Sequence, residues 1–142
     1  YDSRKIDVAA NISIPGRTFN FHRHDVLKYN LPESDVFIVS DMLHYISENE
    51  QVALIEKCMG KLNPDGMIVI RDANKDLQKR HFFTRLSEMI STSINFNKSD
   101  SKKMHFVSKE IILHLAEKHQ FVVKIYDMSA VTSNLIFVLT KK

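Results

Sequence analysis

Two short polar segments carry most of the side chains in this chain that could do chemistry. Residues 40–45 (Ser-Asp-Met-Leu-His-Tyr) follow one apolar run, and Arg71-Asp72 follows another. Carboxylates and hydroxyls can bind the amino and hydroxyl groups of a ligand, and a histidine can accept a proton near neutral pH. His44, together with His105 from a third polar segment, is therefore a candidate general base.

Other chemically capable side chains give weaker signals. His22 and His24 lie on one face of a predicted strand and could bind a metal, but no clear third ligand accompanies them, so we predict no metal site. Cys58 lies between core positions of a predicted helix and is better interpreted as a small hydrophobic residue than as a nucleophile. Asp25 ends the predicted strand and could accept a hydrogen bond from an amino group.

The segment from Asp35 to Asp72 predicts the elements that position the two polar segments. Val36–Val39 and Met67–Ile70 are short apolar runs typical of strands buried on both faces. A capping box at residues 47–50 predicts a helix between them, and Asn63–Gly66 predicts a tight turn at its end. A strand–helix–strand unit implies parallel strands whose carboxyl ends meet at one edge, where ligands bind.

Hydrophobic periodicity predicts the remaining elements. It indicates a short helix at Tyr1–Ile12, a strand at Thr18–His24, a helix at Lys75–Ile94, a helix capped by Ser108, and strands at Phe121–Tyr126 and Leu135–Leu139. The last two strands are separated by too few residues for a crossover helix, so they should pair antiparallel. The pattern predicts an α/β fold with a mostly parallel sheet.

Bulk properties limit the classes of protein to which the chain can belong. Its 142 residues are 44% hydrophobic and 26% charged, which suits one globular domain spanning residues 1–142. One cysteine and no membrane-length apolar run favour a cytoplasmic location. The net charge of +3 is spread out, and the only basic cluster, Lys98–Lys103, is typical of a solvated loop, which argues against a nucleic-acid partner.

The order of these elements and motifs resembles the second half of a class I S-adenosylmethionine-dependent methyltransferase of the small-molecule, type 11/12-like kind. The segments that carry the resemblance are YDSRKIDVAA at residues 1–10, Asp25 after its strand, SDMLHY at residues 40–45, Arg71-Asp72, and HFVS at residues 105–108. The resemblance implies a Rossmann-like sheet, mostly parallel with an antiparallel C-terminal strand pair. The family's glycine-rich cofactor loop and N-terminal strand are missing from this chain.

The resemblance also implies roles for individual residues. The implied cofactor is S-adenosyl-L-methionine, with Tyr1, Asp2, Asp25, Ser40 and Asp41 as its binding residues. Tyr45, Arg71 and Asp72 would bind the substrate, and His44 and His105 would be catalytic. No Asn/Asp-Pro-Pro-aromatic motif follows the Val36–Val39 strand, so the implied acceptor is a small-molecule or lipid-like substrate methylated on oxygen or nitrogen, rather than a nucleobase.

Two alternatives remain open at this stage. The first is a non-enzymatic domain that keeps the fold as an interaction or scaffolding module. The second, an NAD-binding Rossmann domain, is disfavoured by the antiparallel final strand pair. If a first strand and further domains lie upstream, we expect residues 1–142 alone to be inactive and to form a homo-oligomer through the unpaired sheet edge.

Overall fold

The computed structural model describes residues 3–73, 105–128 and 134–142. These residues divide into two compact units, Tyr1–Asn30 and Leu31–Lys142. Several sequence predictions lie outside the described residues: those for Tyr1 and Asp2, the helix at 75–94, the basic cluster at 98–103, and most of the segment between the last two strands. In the described parts of the chain, no helix has the length and apolarity needed to cross a membrane.

The first unit contains one helix, α1 (Ser3–Ala10), followed by irregular backbone. The strand predicted at Thr18–His24 is wrong, because these residues form no strand, and Phe19 is 44% exposed. Alternation alone cannot make a strand, since the backbone N–H and C=O groups of a strand need a neighbouring strand as partner. No described residue pairs with this segment.

The second unit contains a sheet that confirms the predicted fold class. Its four described strands are β1 (Ser34–Ser40), β2 (Leu62–Ala73), β3 (Phe121–Asp127) and β4 (Asn134–Lys141), in the order β1-β2-β4-β3. β1 and β2 are parallel, whereas β4 is antiparallel to both of its neighbours. Three of these four strands therefore run in one direction, with β4 reversed between two of them.

Two helices in this unit begin where the sequence predicts. α2 (Glu48–Lys61) starts with the capping box: the Glu50 carboxylate accepts hydrogen bonds from the Ser47 amide at 2.8 Å and its hydroxyl at 2.7 Å. α3 (Lys109–Lys118) is capped by Ser108, whose hydroxyl accepts from the Ile111 amide at 3.2 Å. Both signals involve only a few neighbouring residues, so they could be recognised from the sequence without the tertiary structure.

The junction between α2 and β2 differs from the prediction. Instead of a tight turn, Asn63–Gly66 forms an irregular start of β2, and the register with β1 shifts between Ser34 and Val36. A Cβ on Gly66 would lie 2.6 Å from the Asp35 carbonyl oxygen. Glycine is therefore required here for close approach of the two strands.

Along β2, buried side chains alternate with more exposed ones, and this alternation decides which residues face the core at the site. Ile68, Ile70 and Asp72 are at most 2% exposed, whereas Met67, on the other face, is 39% exposed. The prediction that β1 is buried on both faces is wrong, since Ile38 is 72% exposed. In the described sheet β1 is an edge strand with a neighbour on one side only.

Candidate active site at the carboxyl ends of β1 and β2

A buried carboxylate organises the loop after β1. Asp72 Oδ2 accepts hydrogen bonds from the backbone amides of Leu43 at 2.9 Å and His44 at 3.3 Å. Asp72 Oδ1 accepts from the Ala73 amide and lies 2.7 Å from Nδ1 of the His44 ring. These contacts hold the short 3₁₀ turn Leu43–Tyr45 against the end of β2. They also occupy the roughly four acceptor positions that a carboxylate offers.

This arrangement fixes the chemistry of the His44 ring. An ionised carboxylate has no proton to donate, so Nδ1 is the donor in the hydrogen bond to Asp72. The neutral ring then keeps its lone pair on Nε2, the nitrogen that can accept a proton. The His44 side chain is 11% exposed and that of Asp72 is 1% exposed, so little water competes for the bond between them.

Two aromatic rings flank the His44 imidazole. The Tyr45 ring centroid lies 4.1 Å from it and the Phe106 centroid 5.9 Å. Tyr45 is 65% exposed, whereas His44 is buried beneath it. Small-molecule sites commonly combine aromatic side chains with a few polar groups, as found here.

The turn that carries His44 is also tied to the segment before α3. The His105 amide donates to the His44 carbonyl oxygen at 3.1 Å. The Gln51 side-chain amide, in the first half of α2, donates to the carbonyl oxygens of Leu43 at 2.9 Å, Ile46 at 3.2 Å, and His105. Gln51 is fully buried, and its Oε1 has no hydrogen-bond partner among the described residues.

A second, more exposed polar cluster lies beside the first. The Arg71 guanidinium forms an ion pair with the Asp41 carboxylate, which also accepts from the Ser40 hydroxyl at 2.8 Å. Asn134, with its amide oxygen facing Arg71, accepts from Nη2 at 2.6 Å. Asp41 has a φ of 52°, a conformation that non-glycine residues adopt rarely and mostly for a local reason. Its amide donates to the Arg71 carbonyl oxygen at 2.9 Å.

Asp25 belongs to the first unit, where it closes its own turn. Its Oδ1 accepts from the Leu27 amide at 3.1 Å, and its carbonyl oxygen accepts from the Tyr29 amide at 2.8 Å. Its Oδ2 lies 3.9 Å from the Lys28 ammonium, too far for a hydrogen bond. Asp25 therefore retains acceptor capacity, and its role in binding the cofactor stays a prediction.

The structure brings together some of the residues predicted from sequence, in pairs that differ from those expected. His44 and Asp72 form one pair, and Arg71 and Asp41 form another, with Ser40 alongside. His105 contacts the His44 turn through its backbone rather than its ring. Asp72, predicted to bind substrate, has its acceptor positions occupied by protein groups.

Sequence reasoning missed Gln51 altogether. A signal was present, because Gln51, Leu54, Ile55 and Cys58 follow the i, i+3, i+4, i+7 spacing of one helix face. All four are at most 2% exposed, so a polar residue occupies a core position. Burial raises the pKa of the Cys58 thiol to about 11, which agrees with its interpretation as a hydrophobic residue. Among the residues that the structure describes, no three metal-ligating side chains cluster.

Comparisons with solved structures show the fold. An O-methyltransferase family protein from Burkholderia thailandensis is 17% identical, with a TM-score of 0.64 over 99% of this chain and 40% of its own. Human N-acetylserotonin methyltransferase, solved with S-adenosylmethionine, is 17% identical, with a TM-score of 0.60 over 89% of this chain and 36% of its own. An O-methyltransferase family 2 protein from Planctomyces limnophilus, solved with apigenin, is 18% identical, with a TM-score of 0.60 over 85% of this chain and 34% of its own.

This chain therefore spans about two fifths or less of the length of these three relatives. A search of curated proteins gives no significant match. The sequence profile of the O-methyltransferase domain, however, matches residues 6–113, which is most of the chain. Together with a sheet whose reversed strand lies between two parallel ones, this match establishes that the chain belongs to the O-methyltransferase domain family.

Proposed function

We propose that the natural protein containing these residues transfers a methyl group from S-adenosyl-L-methionine to a small-molecule or lipid-like acceptor, with His44 as the general base. The observation that carries this proposal is the buried contact of 2.7 Å between His44 Nδ1 and Asp72 Oδ1, in a chain of the O-methyltransferase domain family. A histidine whose Nδ1 is held by a buried carboxylate has Nε2 left to take a proton from a bound acceptor.

The groups at the end of β1 suit the proposed cofactor. Ser40 is exposed and Asp41 is 46% exposed at its side chain, so a hydroxyl and a carboxylate are available to hydrogen-bond a cofactor that carries amino and hydroxyl groups. When bound, S-adenosylmethionine supplies an electrophilic methyl group. A relative solved with this cofactor supports the assignment. We retain Ser40 and Asp41 as its proposed ligands here, and Asp25 on the resemblance alone.

The chain's own residues do the rest of the proposed work. His44 Nε2 accepts the proton that an acceptor hydroxyl loses as its oxygen becomes nucleophilic. Asp72 keeps the His44 ring in one tautomer and stabilises the positive charge that the ring acquires. Asp72 is thus a positioning residue rather than a substrate ligand. Most of the rate gain in such a transfer comes from holding the reactants in line.

The rim of the site favours an apolar or aromatic acceptor. Tyr45 is exposed next to the His44 ring, and its aromatic face can pack on a flat substrate. One structural relative was solved with apigenin, which supports an aromatic acceptor. Arg71 is proposed to lie at the edge of the acceptor site, where its side chain is 38% exposed.

The test is methyl transfer by the natural full-length protein, measured as formation of S-adenosylhomocysteine with apigenin and a panel of other hydroxyl-bearing small molecules. We expect His44→Gln to reduce kcat by about 10²-fold or more. His114→Gln is the matched control, because His114 is exposed on α3. Equal activity of the two variants would overturn the role of His44.

A second measurement separates the enzyme from the scaffolding alternative. Calorimetric titration of S-adenosylhomocysteine into the full-length protein should give micromolar binding, weakened in Asp25→Ala and Asp41→Ala. Asp65→Ala, an exposed acid near the start of β2, should bind like the wild type. Absence of binding by the wild type would favour the scaffolding module.

A further inference from the structure

The Gln51 side chain makes an unusual set of contacts for a core position. Its Nε2 lies within hydrogen-bond distance of three backbone carbonyl oxygens, those of Leu43, Ile46 and His105. A carboxamide nitrogen has two hydrogens, so at least one of them is shared between two acceptors. Two of these carbonyls belong to the loop carrying His44, and the third lies 54 residues further along the chain.

The same side chain carries a free-energy penalty. Gln51 is fully buried, and its Oε1 has no partner among the described residues. Leaving a buried acceptor unpaired is destabilising, because the group loses its hydrogen bonds to water without gaining others. An apolar side chain of the same length would avoid this penalty, so packing alone does not explain a glutamine at this position. Its contacts with the three carbonyls provide the explanation.

Those contacts complete a closed set of restraints around His44. The His44 amide is held by Asp72, its carbonyl by the His105 amide, and its ring by Asp72 again. Gln51 holds the residue before His44, the second residue after it, and the carbonyl of His105 itself. The turn and the 105–108 segment, which brings Phe106 against the His44 ring, are thereby fixed to α2.

We infer that Gln51 is a positioning residue that locks the His44 turn to the segment before α3, so that the imidazole keeps the one orientation and tautomer needed to take a proton from the acceptor. This inference rests on the proposed function of His44. It adds a residue that touches neither substrate nor cofactor and acts only through the backbone on both sides of the base.

The experiment uses Gln51→Met, which keeps the length of the side chain but removes the N–H donors and the unpaired oxygen. The readout that needs no substrate is the tautomer of His44, measured from the ring ¹⁵N shifts of the full-length protein. We expect the wild type to show a single tautomer protonated on Nδ1, and Gln51→Met to show a mixture. An unchanged single tautomer in a folded Gln51→Met protein would overturn the inference.

A control separates positioning from a general loss of stability. Leu139→Ala removes buried side-chain volume from β4, at the end of the sheet away from the site, and should lower the urea concentration at which the protein unfolds. We expect this variant, where folded, to keep the wild-type tautomer and kcat. If Leu139→Ala disturbs the tautomer as much as Gln51→Met does, the effect of Gln51 is only structural and the inference fails.

Kinetics then distinguish the failure of this inference from failure of the proposed function. In the wild-type background, Gln51→Met should lower kcat by about 10²-fold with little change in KM. In the His44→Gln background it should have no further effect on kcat, because the base through which it acts is absent. If His44→Gln itself retains full activity, the proposed function fails. If His44→Gln is inactive but Gln51→Met is not, only the present inference fails.

Discussion

Two adjacent residues of β2 take part in two very different side-chain pairs: Asp72 in a buried hydrogen bond to His44, and Arg71 in an exposed ion pair with Asp41. Successive side chains of a strand point to opposite faces, so Asp72 continues the buried row of Ile68 and Ile70 while Arg71 lies on the more open face. The pair of Asp72 with His44 is nearly excluded from water, whereas that of Arg71 with Asp41 is more than a third exposed on both sides. The two contacts should therefore differ greatly in their effect on stability and function.

The largest expected effect is the loss of the buried carboxylate. Asp72→Ala leaves the His44 ring and three backbone amides without their acceptor. Each unsatisfied buried donor costs about 1–3 kcal/mol, so we expect a loss of several kcal/mol in the free energy of unfolding. Urea denaturation of the wild type and the variant measures the difference. Asp41→Ala is the matched control, with an expected change within about 1 kcal/mol. Similar losses in the two variants would contradict the contrast between the pairs.

A milder change at the same position sharpens the comparison for function. Asp72→Asn keeps the size of the side chain, but its amide can present a donor where the carboxylate only accepts. The His44 ring can then adopt the tautomer with its proton on Nε2, which cannot act as a base. We expect kcat to fall by about 10²-fold or more while much of the stability remains, as measured by methyl transfer beside urea denaturation. Retained kcat in this variant would show that Asp72 is structural only.

The pKa of Cys58 tests the effect of burial on a titratable side chain that belongs to neither pair. Its pKa is raised from 9.0 to about 11 by burial, so between these values the folded state binds more protons than the unfolded state. Stability should therefore fall as pH rises above about 9, by about 1.4 kcal/mol for each pH unit until about pH 11. Comparison of unfolding free energies of the wild type and Cys58→Ala over this range isolates the contribution of the thiol. Parallel curves would show that the thiol does not contribute.

The smallest expected effect comes from the exposed pair. Arg71→Met should change the unfolding free energy by less than about 1 kcal/mol, and the difference should shrink between 0.05 and about 1 M salt, because mobile ions screen exposed charges. Thermal or urea unfolding at two salt concentrations measures it. A larger, salt-independent loss would mean that the Arg71 cluster is integral to the fold rather than available to an acceptor.

Two helix starts that depend on neighbouring residues in sequence were predicted correctly, and the errors in the described residues lie in segments predicted to be strand or turn. The capping box at Ser47 and the cap at Ser108 need only a few residues, and both are present. The strand expected at Thr18–His24 needed a partner strand that the described residues do not provide. The turn expected at Asn63–Gly66 is part of β2 instead, where Gly66 lies against the Asp35 backbone.

The candidate site shows the same division. His44 was identified from its segment and its type, but its partner could not be, since Asp72 lies 28 residues away and was expected to face a substrate. The alternation of Ile68, Ile70 and Asp72 would have placed the carboxylate on the core face of β2. Gln51 could have been recognised by its position in the apolar row of α2. The three backbone carbonyls to which it donates are brought together by the tertiary structure, so they could not be predicted from the sequence.

The position of β4 has a consequence for how the chain folds during synthesis. In the described sheet, β3 pairs only with β4, and β4 joins it to β2. Of the described strands, the one at residues 134–141 is made last, so β3 has no partner among these strands until those residues leave the ribosome. Closing β2 onto β4 also spans a long stretch of chain, which slows the search for the correct pairing. We therefore expect the nascent chain to expose unpaired strand edges until residues 134–141 have been made, and so to be prone to aggregation in that interval.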